Sequence, residues 1–333
     1  MLFSGDLGNG YIKARSTDNT GISFPAVISV VSDMLGGFNF DLSKTNHDFV
    51  IGFEGKSYAI GETVRLKGLT PVTIAHRSRI ETDFYRIMFA SSLAATIWED
   101  CKPSVVLSLP PAAYWDKDKI KQALQGIYKV EIPGYRTVTY DIPHEAMRII
   151  PEGVGAVCLL VLDKEGNDKQ AEQALSKLRV GVVDVGTYTT DLIQLDALRI
   201  VRSGCDSLPH ALHDVHEKVR NYCQHQGYDL DMYRADEVLN AGYFMRAGVR
   251  HSIAEFIDDW TGDLIPAISG MIRTKWNGGD DVDAILLTGG GSLYIYDRMA
   301  MEFPHVRLVE QVPPHFANCE GAYRYGMLRE RNK

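Results

Sequence analysis

Two stretches far apart in the chain carry the same pattern. "GDLGNGYIKA" near the start and "VDVGTYTTDLIQL" in the middle each place an aspartate at the end of an apolar strand, a glycine two residues on, and a second strand directly afterwards. A repeat of this kind predicts two α/β domains, each presenting the same turn. Such a turn gathers several backbone N–H groups at one point, with a carboxylate beside them.

Three known cradles for phosphate fit glycines spaced as in Gly5, Gly8 and Gly10. A dinucleotide fold needs a helix directly behind the glycines, and the following "YIKARSTDNTGISFPAVISVV" reads as strand, turn, strand with no helical period. A P-loop needs lysine and then serine or threonine after its last glycine, where this chain has Tyr11. What remains is a tight hairpin, with Asn9-Gly10 supplying the positive dihedrals of a two-residue turn between strands over Leu2–Leu7 and Tyr11–Ser16. In that geometry Asp6 can sit beside a metal and Lys13 can reach back as a point charge. The same residues also describe an ordinary Asn-Gly hairpin with no ligand.

At 333 residues the chain has room for two domains, and 45% hydrophobic with 23% charged residues is ordinary globular composition. Apolar runs are too short for a membrane span and no basic-then-apolar leader opens the sequence, so the expectation is a cytoplasmic protein without membrane contact. Five cysteines without a CxxC pair fit a reducing compartment. A formal charge of −8 argues against direct nucleic-acid binding, which rests on clustered Lys and Arg.

Between the repeats the sequence predicts two short strands around a glycine turn in "NHDFVIGFEGKSYAIGE". A helix follows in "ETDFYRIMFASSLAATIWED", on which Phe84, Ile87, Met88, Ser91, Leu93, Ala95 and Trp98 recur at helical spacing. "PSVVLSLPP" reads as a buried strand, 116–125 as a charged helix, and "YKVEIP" and "RTVTYDIP" as alternating strands. "MRIIPEGVGAVCLLVL" reads as strand, proline and apolar helix. After the second repeat, helices are expected over 207–225, 235–241 and 248–275. "VDAILLTGGGSLYI" then runs from strand through triple glycine into a helix, and "FANCEGAYRYGMLRER" is a final helix.

Any one glycine motif is common; these segments in this order are specific. "DLGNGYIK", "IIPEGVGA", "VVDVGTYTTD", "LLTGGGS" and "NCEGAYRYG" resemble the phosphate-1, connect-1, phosphate-2, adenosine and connect-2 segments of the actin, Hsp70 and sugar-kinase superfamily. Within it, "SLPPAAYWDK", "PEGVGA" and "GCDSLPHAL" make the chain most similar to plasmid-segregation actins of the ParM/StbA type. The resemblance implies an actin-like ATPase fold of class α/β, with two RNase H-like domains around a nucleotide cleft. Domain I would span 1–150, with an insertion near 33–80 and the C-terminal helix 318–333 packing back on it; domain II would span 151–317.

Carried over by position, the resemblance assigns Asp6 and Asp184 to Mg²⁺, held through water, and Gly8, Asn9 and Gly10 to a phosphate. Lys13 would contact the β and γ phosphates, and Gly186, Thr187, Tyr188 and Thr189 would form the second phosphate loop. Gly289, Gly290 and Gly291 would wall the adenosine of ATP, and Glu152 would orient or deprotonate the attacking water. It further implies filaments driven by ATP binding and hydrolysis, with plasmid DNA held by an adaptor protein. The segment 39–61 is where longitudinal contacts are expected.

One departure bears on turnover. Many relatives have a second glycine in phosphate-2, where this chain has Thr187 and Tyr188, and Tyr188 either crowds the γ-phosphate or turns outward. Asp191 reads as a turn hydrogen bond or as a residue near the metal. His210, His213 and His216 recur every three residues on an expected helix; their spread round it reads as a solvated or partly packed face rather than a zinc site. Two rival functions share the superfamily: a small-molecule kinase, which would need a pocket carboxylate to activate a substrate hydroxyl and for which the sequence has no cysteine-glycine metal cluster or acyl-phosphate signature, and a non-polymerising chaperone or reactivating ATPase.

Overall fold

The computed structural model describes residues 1–31, 48–74 and 80–332. Part of the expected insertion, 32–47 and 75–79, lies outside the described residues. The chain forms two compact units, Met1–Lys169 with Asn318–Lys333, and Gln170–Ala317.

The first unit opens with β1 (Leu2–Leu7), β2 (Tyr11–Ser16) and β3 (Ile22–Pro25), an antiparallel meander. Next come β4 (Ile28–Val31), β5 (Asp48–Phe53), β6 (Lys56–Gly61), α1 (Glu62–Leu66) and α2 (Asp83–Thr96). They are followed by β7 (Ser104–Leu109), α3 (Pro111–Tyr114), α4 (Lys117–Leu124), β8 (Gly126–Ile132), β9 (Arg136–Ile142), β10 (Met147–Pro151) and α5 (Val154–Val161). One sheet runs β10-β7-β1-β2-β3, with β7 and β10 parallel to β1; a second runs β4-β6-β5-β8-β9. The β5–β6 hairpin expected from the sequence is thus part of a five-stranded sheet.

Helix α2 is apolar on nearly every side because it lies between these sheets. Phe89 meets Phe3 edge-on at 5.9 Å on one side and Tyr128 edge-on at 5.4 Å on the other, and Tyr128 stacks on Phe53. The helix ends at Thr96, before the periodic pattern does: Ile97 is extended, and Trp98 stands half exposed beside Tyr135.

The second unit repeats the plan. It contains β11 (Arg179–Val185), β12 (Thr190–Asp196), β13 (Arg199–Ile200), β14 (Asp206–Leu208), α6 (Leu212–His225), α7 (Met232–Ala241), β15 (Tyr243–Arg246) and β16 (Val249–Ser252). After them come α8 (Ala254–Gly262), α9 (Ile265–Lys275), β17 (Ala284–Thr288), α10 (Ser292–Glu302) and β18 (Val306–Leu308). Its sheet order, β13-β12-β11-β17-β18, matches β3-β2-β1-β7-β10 of the first unit strand for strand. This is the duplication the repeat predicts, in the RNase H-like form the resemblance implies.

Two helix expectations are corrected here. The stretch 248–275 is β16 followed by two helices, because Gly248 turns the β15–β16 hairpin with a positive φ and Pro266 opens α9 at its first turn. The stretch 207–225 is helical only from Leu212, since 206–208 pairs with β12.

The closing helix α11 (Ala317–Arg331) packs on the first unit. Tyr323 and Ala322 join Leu2, Val106 and Ile150 in a small core. Arg15 lies 4.0 Å from the Tyr323 ring centroid and pairs with Glu320, which also holds Arg324 at 3.1 Å. Arg324 donates to the carbonyls of Leu159 and Leu162, satisfying the open end of α5. The division of the chain thus falls after Lys169 rather than at 150, with α5 and α11 in the first unit.

Candidate functional site

In the first unit, Asp6 is the penultimate residue of β1 and pairs in register with Lys13 on β2. Alternation along both strands puts their side chains on one face, where Lys13 Nζ lies 3.2 Å from Asp6 Oδ2. The turn between them is not the expected two-residue hairpin. Leu7 and Ile12 are the last paired residues, so four residues make the connection, and Asn9 does not take a positive φ. Glycine is needed at position 8 for another reason: a Cβ there would come within 2.5 Å of Tyr11 O and 3.3 Å of Lys13 Nζ. Backbone, lysine and aspartate close in on one point that only glycine leaves open.

Along the same sheet, Asp6 on β1, Ser108 on β7 and Ile150 on β10 form one row. Glu152 follows β10 at this edge. Its N–H donates to Leu109 O at 2.6 Å, and the next N–H, of Gly153, donates to Asn318 Oδ1 at 2.7 Å. The loop bearing Glu152 is therefore pinned both to a strand and to α11. Its carboxylate is half-buried.

In the second unit, Asp184 holds the place on β11 that Asp6 holds on β1, and its register partners are Asp191 on β12 and Thr288 on β17. Asp191, read from sequence as a turn hydrogen bond or as a residue near the metal, accepts from Thr189 Oγ1 at 2.8 Å, and its register puts a second carboxylate beside Asp184. Asp184 and Asp191 are both buried. Gly186 N donates to Thr189 O at 2.9 Å, closing the loop, and the Gly186 and Thr187 carbonyls accept from Leu212 and His213 at the start of α6. Loop 186–189 is thereby tied to a helix end.

Tyr188 is packed against α6 and α7. Its ring packs on His213 with centroids 5.1 Å apart, its hydroxyl reaches Met232 Sδ at 3.2 Å, and burial holds the phenol above its ordinary range. The three histidines part company: His210 precedes α6 and pairs with Asp214, His213 packs on Tyr188, and His216 is fully buried against Asp236 on α7. Among the described residues no group of three or more His, Cys, Asp or Glu converges to hold a metal.

Triple glycine follows β17. Gly289 has φ +86° and lies so close to β11 that a Cβ would overlap Asp184 Oδ1 and Val185 O. Gly291 N donates to Val185 O at 3.0 Å, and a Cβ at Gly291 would overlap the Val185 side chain. Gly290 is under no such pressure, its nearest neighbour being Leu212 Cδ1 at 3.5 Å. Ser108 escaped the sequence reading; its only signal is that it is the one polar residue inside the run "VVLSL".

A Mg²⁺ ion and a polyphosphate suit what these residues offer. Asp6 Oδ1 is a buried oxygen without a hydrogen-bond partner among the described residues. Within the second unit, Asp184 and Asp191 offer oxygen donors of their own, the kind Mg²⁺ prefers. Glycines leave room where a side chain would fill the space.

Comparisons with known proteins agree with this fold. The family model for the N-terminal domain of actin-like proteins matches residues 4–155, and that for the C-terminal domain of archaeal MreB-like actin homologues matches 182–301. An archaeal actin homologue superposes with a TM-score of 0.79 at 22% identity, over 99% of each chain. The same homologue in complex with ADP gives 0.77 at 22%, over 98% of this chain and 99% of that one. A subunit of a 15-stranded ParM filament from Clostridium botulinum gives 0.78 at 19%, over 98% and 99%. Among curated protein sequences none matches the chain.

Proposed function

We propose, on the premise that the chain belongs to the actin-like proteins, that it binds Mg-ATP through the phosphate loops of both units, hydrolyses it, and assembles into filaments that segregate plasmid DNA. The observation that carries the reading is the duplication of one device. A buried aspartate ends the first strand of each unit's sheet, at a turn whose neighbouring backbone only glycine can accommodate. The ADP complex of one structural neighbour and the filament formed by another support it.

In this reading Lys13 and the N–H groups of 8–10 and 186–189 hold the phosphates, and Gly289, Gly290 and Gly291 face the adenosine. Asp6 and Asp184 would hold Mg²⁺ through water, and the ion supplies charge neutralisation on the phosphates. Glu152, on its doubly pinned loop, orients the attacking water or takes its proton. Phosphoryl transfer needs positioning and electrostatics more than covalent help, so these residues suffice. Tyr188, packed against α6 and α7, leaves the phosphate side of its loop free. With a charge of −8 the filament acts on DNA through a basic adaptor, in the cytoplasm. Among the described residues no helix is long and apolar enough to cross a membrane.

Pelleting and right-angle light scattering with Mg-ATP, Mg-ADP and a non-hydrolysable analogue, alongside phosphate release, test the reading. Assembly with ATP and with the analogue, followed by phosphate release and disassembly with ATP alone, is the expected result. Phosphate release only on adding a metabolite would make the chain a kinase, and turnover without any sedimenting polymer would make it a non-polymerising ATPase.

A further inference from the structure

The row that crosses the first unit's sheet at Asp6 contains a second buried polar group with no use in the account above. Ser108 is 1% exposed, and its Oγ has no hydrogen-bond partner among the described residues; the same holds for Asp6 Oδ1, on a residue 4% exposed. The two residues are in-register neighbours on parallel strands, so their Cα atoms stand about 4.8 Å apart and their side chains leave the sheet on one face. That face is fixed independently: Ser4, two residues before Asp6, donates to Cys319 O on α11, and Val106, two before Ser108, packs on the same helix. Lys13 occupies the other oxygen of Asp6.

The second unit supplies an internal comparison. Thr288 stands to Asp184 as Ser108 stands to Asp6, and it too is fully buried, yet its hydroxyl donates to Pro314 O at 3.3 Å. Where the duplicated position has only a structural duty, the fold provides a backbone acceptor; beside Asp6 it provides none among the described residues. A buried hydroxyl and a buried carboxylate oxygen, side by side and both unsatisfied by protein, call for a shared small polar species.

We propose that Asp6 Oδ1 and Ser108 Oγ together accept the two hydrogens of one water in the shell of a hydrated divalent cation, so that Ser108 is a positioning residue for the Asp6 side of the metal site. The proposal rests on the Mg-nucleotide reading. It makes the first unit's contribution to the cation a pair of oxygens rather than Asp6 alone, and it explains why the buried run 105–109 carries a serine at this point.

The test is the affinity of a fluorescent ADP, measured with and without Mg²⁺, for the full chain and for Ser108→Ala, Ser108→Thr and Ser108→Val. Ser108→Ala should leave the Mg-free affinity unchanged and raise the Mg²⁺ concentration at half-effect about tenfold. Ser108→Thr should restore the wild-type value, and Ser108→Val, with the same shape but no hydroxyl, should not. An unaltered Mg²⁺ midpoint in Ser108→Ala, equal weakening with and without the ion, or rescue by valine would overturn the proposal. Failure of the wild-type chain to bind the nucleotide, or to respond to Mg²⁺, would instead bring down the nucleotide reading itself, whatever the variants do.

Discussion

Asp184 and Gly289 share one point in space: the carboxylate that ends β11 reaches the position a side chain on Gly289 would take. Gly289 also has a φ of +86°, which L-residues rarely adopt. Gly289→Ala should therefore cost about 1–3 kcal/mol in urea unfolding and displace Asp184. Gly290→Ala, next door but with open space and no such φ, should stay within about 0.5 kcal/mol. Equal effects at the two positions would contradict the close approach.

Tyr188 is held by His213 and Met232. Tyr188→Ala should loosen loop 186–189 and weaken nucleotide binding, whereas Tyr188→Phe, which keeps the ring, should bind nearly as the wild type does. Faster phosphate release in Tyr188→Ala would show that the side chain obstructs the site after all.

Glu152 sits on a loop fixed by Leu109 O and Asn318 Oδ1. Glu152→Ala should slow phosphate release roughly 10²-fold or more and leave assembly intact. Asn318→Ala should slow it by a smaller factor with unchanged nucleotide affinity, because the loop is freed but the carboxylate remains. Undiminished turnover in Glu152→Ala would remove that residue from the mechanism.

Burial pushes the phenols of Tyr128 and Tyr294 up to about 12, and that of Tyr140 higher still. Unfolded tyrosine ionises near 10, so between these values the folded chain keeps protons that the unfolded chain has lost. The stabilisation is whole below about pH 10 and is lost as pH rises through about 12, so the melting temperature should fall steeply across that window. Tyr128→Phe removes a hydroxyl that donates to Leu124 O at 2.8 Å; it should cost about 0.5–1.5 kcal/mol at neutral pH and make the alkaline fall shallower. An equally steep fall in the variant would mean that other groups govern it.

Much of the fold was legible because it is written twice. The strands Leu2–Leu7 and Tyr11–Ser16, the run 104–109 and the triple-glycine turn all follow from apolar continuity broken by glycine, and the repeated hairpin marks the start of each unit's sheet. Helix ends were less legible. Trp98 keeps the helical period beyond Thr96 although the chain has become extended, and the apolar spacing of 248–275 hides a hairpin and a break that only Gly248 and Pro266 betray. At the candidate site, Asp6 and Asp184 were visible from their place at strand ends. The pairing of Asp191 with Asp184 was not, because it depends on how many residues the 186–189 turn takes, and that of Ser108 with Asp6 was not, because register between strands far apart in sequence leaves no local mark.

In the proposed function Asp6 and Asp184 each hold the Mg²⁺ of a bound nucleotide through water. Titration of a fluorescent ATP analogue into the wild-type chain, Asp6→Ala and Asp184→Ala, each with and without Mg²⁺, tests it most directly. Tight Mg-dependent binding by the wild type and loss of the Mg²⁺ increment in either variant alone is the expected result. Absence of purine-nucleotide binding by the wild type, or a Mg²⁺ increment that survives in either variant, would contradict it.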